Sequence, residues 1–124
     1  MRIQKIKVKS SNSSYSIIIG RNAIQFLSKE INAVCPKTKK IGIIIDKRVP
    51  KKFKELIKKK LNKYKVFIFY FNASEKAKSF NFVNHYLNKL LFNNFNRTDL
   101  IIGVGGGITG DFSGFVASIF KRGI

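Results

Sequence analysis

Leu100-Ile101-Ile102-Gly103-Val104-Gly105-Gly106-Gly107-Ile108-Thr109-Gly110-Asp111 begins as an apolar run, passes through three consecutive glycines and leads into a helical pattern. The run is short, branched and free of polar residues, which suits a strand buried on both faces. Beyond it Phe112, Phe115, Val116, Ile119 and Phe120 recur at helical spacing. A helix is therefore expected to open near Asp111, to carry these side chains inward and to stop at Gly123. Glycines between a buried strand and a helix let the backbone approach an anion closely, and the free N–H groups of the helix start attract it. Gly105, Gly107 and Gly110 satisfy the G-x-G-x-x-G spacing of a dinucleotide-binding turn in the required strand-turn-helix setting. The acidic residue that usually follows such a turn by about 20 positions would fall beyond Ile124.

Working upstream, the same alternation of strand and helix repeats. Phe80, Val83, Leu87, Leu90, Leu91 and Phe95 form a helical stripe, and Val66 to Phe71 form a second buried-strand run. Before that come the stripe Phe53, Leu56, Ile57, Leu61 and Tyr64 and the run Ile41 to Ile45. Near the start, residues 1–9 and 14–19 alternate around the polar turn Ser10-Ser11-Asn12-Ser13 and read as a hairpin ended by Gly20. Asn22 is placed to cap a helix carrying Ile24, Leu27, Ile31 and Val34, with Pro36 as its stop. The expected class is α/β: a Rossmann-like parallel sheet with helices on both faces and right-handed crossovers, preceded by an N-terminal β-hairpin.

The 124 residues allow one domain, and twelve Phe supply ample core material. The formal net charge of +19 would ordinarily suggest nucleic acid. The lysines are spread over nearly the whole chain, however, and Lys58-Lys59-Lys60 lies within an amphipathic pattern, so solvated faces are expected. A basic nucleic-acid-binding module remains the rival from another class; it requires exposed aromatics between clustered lysines. No apolar run approaches the roughly 20 residues that span a bilayer, so no membrane is expected. Cys35 has no second thiol for a disulfide or metal pair, which suits a reduced, cytoplasmic setting.

Ligands of such sheets bind beyond the carboxyl ends of the strands. There stands Asp46, an acceptor for ribose or adenine or equally a cap for the following turn. There too stands Ser74-Glu75-Lys76-Ala77-Lys78, in which Glu75 suits ribose hydroxyls and Lys78 a phosphate, unless the segment is simply an exposed helix start.

Taken together, these pieces carry a family resemblance. The segment from Arg97-Thr98-Asp99 through the glycines to Lys121-Arg122-Gly123-Ile124 is similar, almost position by position, to the glycine-rich signature of 3-dehydroquinate synthases. Tyr15 to Arg21 resembles the family's second strand and following turn, Asp46 with Val49 its aspartate after the next strand, and Glu75 with Lys78 its glutamate-x-x-lysine element. The resemblance implies an NAD-dependent lyase of the shikimate pathway that converts 3-deoxy-arabino-heptulosonate 7-phosphate to 3-dehydroquinate and releases phosphate. It places Asp46 toward the adenosine, Glu75 and Lys78 at ribose, Gly106, Gly107 and Ile108 along the pyrophosphate, and Asp111 near the nicotinamide. Arg122 matches an arginine that reaches the sugar-phosphate substrate of the neighbouring subunit in a homodimer. Ser74 departs from the family, which has glycine there.

The family's threonine pair, catalytic lysines and helical domain with a glutamate and two histidines for zinc or cobalt would follow Ile124. Residues 1–124 are thus expected to form the NAD-binding domain alone, with no catalytic residue, no metal ligand and no activity of its own. His85, the single histidine, reads as an ordinary helix residue. A related sugar-phosphate cyclase or a polyol dehydrogenase is the alternative within the same superfold.

Overall fold

Alternating residues at the start of the chain and continuous apolar runs after them produce two separate sheets. The computed structural model describes residues 2–74 and 79–124. β1 (Gln4–Lys9) and β2 (Ser14–Ile19) pair antiparallel, with Ile6 opposite Ile17 and Val8 opposite Tyr15. The turn between them is closed by the Ser10 N–H donating to the Ser13 carbonyl at 2.8 Å. The second sheet is parallel in the order β4-β3-β5, from β3 (Lys40–Asp46), β4 (Lys65–Phe71) and β5 (Leu100–Val104). α2 (Lys51–Lys60) joins β3 to β4, and α3 (Phe80–Phe92) precedes the return to β5 on the other side of β3.

Because successive strand side chains point to opposite faces, the isoleucine run of β3 feeds two cores. Ile41, Ile43 and Ile45 pack with Ile57 of α2 and Ile31 of α1 (Leu27–Val34). Ile44 packs on the other face with Phe69, Phe71, Val83, Tyr86, Leu90 and the residues of α4 (Gly107–Ile119). Helices therefore cover both faces, as the sequence pattern requires. Gly42 makes room on that second face for Phe95, which is fully buried: a Cβ at Gly42 would lie 3.3 Å from the rings of both Phe95 and Phe69. Buried Asp99 fixes β5 to the start of β3, accepting from the Lys40 N–H at 2.9 Å, the Lys39 N–H at 3.3 Å and the Asn96 N–H at 2.8 Å.

Several boundaries differ from the sequence reading. Asn22 makes no side-chain cap; with φ of 61° it opens a 3₁₀ turn over Ala23–Phe26 that delays α1 until Leu27. Phe95 lies beyond α3 and Leu61 and Tyr64 beyond α2, yet each packs inward from the turn that follows its helix. α4 opens at Gly107 rather than near Asp111, since helical backbone needs no side chain to begin. Its wider apolar stripe is only half covered: Phe112, Val116 and Phe120 are buried, whereas Phe115 and Ile119 are exposed, as are Val34, Phe80 and Leu91 on other helices.

Candidate functional site

The strand order reverses between β3 and β5, so the crevice beyond their carboxyl ends is where this topology binds ligands. Asp46 ends β3, and the glycines follow β5 directly beside it. Gly105 has φ of +154°, and a Cβ there would meet Thr109 Oγ1 at 2.7 Å and the Cβ of Asp46 at 3.1 Å. Only glycine permits that turn and that contact together. One helical turn later a Cβ at Gly103 would sit 2.7 Å from Ser113 Oγ, so α4 lies hard against β5. Thr109 Oγ1 and Ser113 Oγ are buried in this seam and have no hydrogen-bond partner among the described residues.

The other side of the same loop is open. A Cβ at Gly106 or Gly107 meets no atom within 4 Å, and no side chain caps the start of α4. The N–H of Gly110 is the first to bond back within the helix, to the Gly106 carbonyl, which leaves those of Gly107, Ile108 and Thr109 without a helical partner at a positive helix end, where Gly107 is exposed, Ile108 half-buried and Thr109 buried. Ile108 itself packs against the core. The loop thus combines a tight inner wall with an open backbone surface, the arrangement a pyrophosphate requires.

Of the two roles open to Asp46 from its position, the structure shows the cap. It caps the following turn, accepting the Arg48 N–H at 2.9 Å, and it holds the Arg48 guanidinium through Nη2 at 3.0 Å and Nε at 3.3 Å. These bonds hold its carboxyl below the usual carboxylate range: the guanidinium contributes most, the Arg48 backbone N–H next, and partial burial opposes them. Arg48 was not singled out from sequence, although a cation two residues after a strand-end aspartate was a readable signal. Its Nη2 also donates to the Ala73 carbonyl at 3.3 Å, spanning from β3 to the loop after β4.

Asp111 lies in the second turn of α4 and lines an apolar cavity of about 380 Å³ with Ser79, Phe80, Val83, Phe112 and Phe115. Glu75 and Lys78 fall outside the described residues. Arg122 is exposed in the turn after α4, beyond the end of that helix opposite the glycines. His85 is exposed on α3 with its ring against Tyr86, and among the described residues no three His, Cys, Asp or Glu side chains come together. No helix among them is long and apolar enough to cross a membrane.

The model of the 3-dehydroquinate synthase N-terminal family matches residues 68–124. Over 124 residues the chain is 44% identical to 3-dehydroquinate synthase of Pelagibacter ubique, covering 100% of this chain and 34% of that protein. It is 41% identical to 3-dehydroquinate synthase of Clostridium botulinum, covering 98% of the chain and 35% of the relative. The chain thus spans about one third of the length of the curated relatives it matches. Its fold is shared with 2-deoxy-scyllo-inosose synthase solved with carbaglucose-6-phosphate, NAD+ and Co2+, at a TM-score of 0.86 and 22% identity over 98% of this chain and 33% of that one. With the glycine loop, the strand order and these relatives in agreement, the chain is similar over its whole length to about one third of the length of 3-dehydroquinate synthases, and its second half matches the model of that family's N-terminal part.

Proposed function

We propose that residues 1–124 form the NAD-binding domain of a 3-dehydroquinate synthase, which converts 3-deoxy-arabino-heptulosonate 7-phosphate to 3-dehydroquinate with release of phosphate. The observation that carries this reading is the juxtaposition of buried Asp46 with the open helix start at Gly106 and Gly107, held together by the Gly105 contact. The N–H groups of Gly107, Ile108 and Thr109 hold the pyrophosphate. Asp46 and its turn face the adenosine half, with Glu75 and Lys78 at its ribose, while Asp111 borders the nicotinamide. A cofactor held there would supply reversible hydride transfer with the substrate within one turnover. The contribution of this chain is to fix the position of the cofactor, since rate depends on holding reacting groups in register.

The described residues do not fit a catalytic zinc or cobalt, which needs three convergent protein ligands. The metal chemistry, and most of the contacts that choose the substrate, therefore belong to the remaining two thirds of the relatives' length, and this chain alone is inactive. Arg122, beyond the end of α4 opposite the glycines, suits a role at the substrate phosphate of a second subunit in a homodimer. A cytoplasmic setting agrees with a lone free cysteine. For the nucleic-acid alternative the exposed rings divide: Phe80, Phe82 and Phe92 project from α3, whose one lysine is Lys89, whereas Phe53 stands among the lysines of α2.

Calorimetric titration with NAD tests this reading, with Gly107→Asp as the control that places a carboxylate where the pyrophosphate would lie. Saturable binding abolished by the substitution supports it. A folded chain that binds no NAD overturns it.

A further inference from the structure

Lysine occurs along nearly the whole chain, but residues 47–65 hold ten of its 25 basic residues and one of its six acidic residues, Glu55. These residues form α2 and the turns on either side of it, so the charge is gathered on one helix beside the edge strand β4. Ile57 faces the core, which turns Lys51, Lys52, Phe53, Lys58 and Lys59 outward. Two exposed rings stand among the ammonium groups. Lys52 Nζ lies 5.1 Å from the centroid of Phe53, which is 45% exposed, and Lys54 Nζ lies 5.2 Å from that of Tyr70, which is 50% exposed. Lys54 also donates to the Tyr70 hydroxyl at 2.6 Å, tying the ring on β4 to the helix.

Stability accounts for only part of this arrangement. Lys58, Lys59 and Lys60 in the last turn suit the helix dipole, but a helix start favours negative charge, and the first turn opens with Lys51 and Lys52 and holds no acidic residue. Lysines three or four positions apart repel one another, as Lys51 and Lys54 or Lys54 and Lys58 do here. Among the described residues none of the lysines of α2 forms an ion pair. The helix therefore carries repulsion that an anion lying along it would relieve.

We infer that the outer face of α2, with Tyr70 beside it, binds single-stranded nucleic acid. Phosphates lie against the lysines and release their counterions, while an unstacked base lies on the Phe53 ring. The helix of 10 residues offers a track about 15 Å long. A duplex hides the faces of its bases from such a ring. An anionic membrane calls for an apolar helix face that can insert, whereas Phe53 is the one exposed large apolar residue of α2. The surface is separate from the dinucleotide crevice, because α2 and α4 pack on opposite faces of the sheet.

Fluorescence anisotropy with a labelled oligothymidylate of about 12 nucleotides, measured across a salt series, tests this. Phe53→Ala should weaken binding by about 5-fold or more with the salt slope unchanged, through the loss of one stacked base; Phe53→Tyr should retain it. Lys58→Gln with Lys59→Gln should lower the slope of log affinity against log salt by about 1.4, about 0.7 for each phosphate contact removed. Lys7→Gln with Lys9→Gln on the hairpin removes the same charge elsewhere and should change the slope little. All these side chains are exposed, so the variants keep the fold. Equal effects of the two lysine pairs would mean that net charge alone attracts the strand, and would overturn the inference. It is overturned too by a Phe53→Ala variant that binds like wild type, by a duplex bound as tightly as the single strand, or by displacement of the oligonucleotide with excess NAD, which would place it in the crevice. A folded chain that ignores the oligonucleotide at about 0.05 M salt also overturns it, and binding to phosphatidylserine vesicles instead would assign the face to a membrane.

Discussion

Gly105 and Gly107 stand two residues apart in one loop, yet their substitutions should have opposite consequences. At Gly105 an alanine would need the strained φ of +154° and would place its Cβ 2.7 Å from Thr109 Oγ1 and 3.1 Å from Asp46 Cβ. Gly105→Ala is therefore expected to cost about 2 kcal/mol or more of stability. At Gly107 a Cβ meets nothing within 4 Å, and the residue is already the first of a helix. Gly107→Ala should leave stability within about 0.5 kcal/mol while weakening NAD, because the methyl group occupies the open side. Urea unfolding paired with NAD titration checks both; equal losses of stability would contradict the division of the loop into an inner wall and an open face. The loop was legible in the sequence because only glycine serves its geometry. Thr109 and Ser113 were not, since their importance comes from contacts that exist only once β5 and α4 are packed together.

At the scale of elements, α4 is held over the sheet by an aromatic cluster whose centre is Phe112. Its ring stacks on Phe71 of β4 at 4.4 Å between centroids with 14° between planes, and meets Tyr86 of α3 edge-on at 5.3 Å. Tyr86 is anchored in turn by its hydroxyl donating to the Tyr70 carbonyl at 2.6 Å. Phe112→Ala should cost about 3–5 kcal/mol through lost burial and the cavity left behind, and Phe112→Leu about 1–2 kcal/mol. Chemical denaturation measures both; a loss under 1 kcal/mol for the alanine variant would mean that α4 docks mainly through the glycine seam at Gly103 and Gly105. The existence and order of the helices were readable from spacing, and their ends were less so. Phe95 and Leu61 kept the helical period although the backbone had already turned, because a turn that packs inward needs an apolar residue as much as a helix does.

Across the whole molecule, apolar surface and positive charge oppose one another. The outer face of the hairpin carries Ile6, Tyr15, Ile17 and Ile19, each at least 41% exposed, and β4 and β5 are both edges of the parallel sheet. Such surfaces invite association, which a net charge of +19 resists. Raising salt shortens the screening length from about 30 Å at 0.01 M to about 3 Å at 1 M, so the sedimentation coefficient should rise with ionic strength. A clean monomer at high concentration in all salts would count against this. The alternating pattern of β1 and β2 announced a hairpin in the sequence, but not that its apolar face would be turned outward, because pattern fixes which residues share a face and not what lies opposite.

The strand order also sets the sequence of events during synthesis. β3 and β4 are joined through α2 and can pair as soon as both have been made, whereas β5 must cross behind them to reach the free edge of β3. The 48 residues that follow Phe71 up to Ile119 take roughly 2–10 s to translate at cellular rates. Throughout that interval the central strand of the order β4-β3-β5 is itself an uncovered edge, with Ile44 exposed toward the missing α4. A nascent chain is consequently most vulnerable to mispairing just before its glycine loop emerges, and nucleotide can assist folding only once that loop has been made.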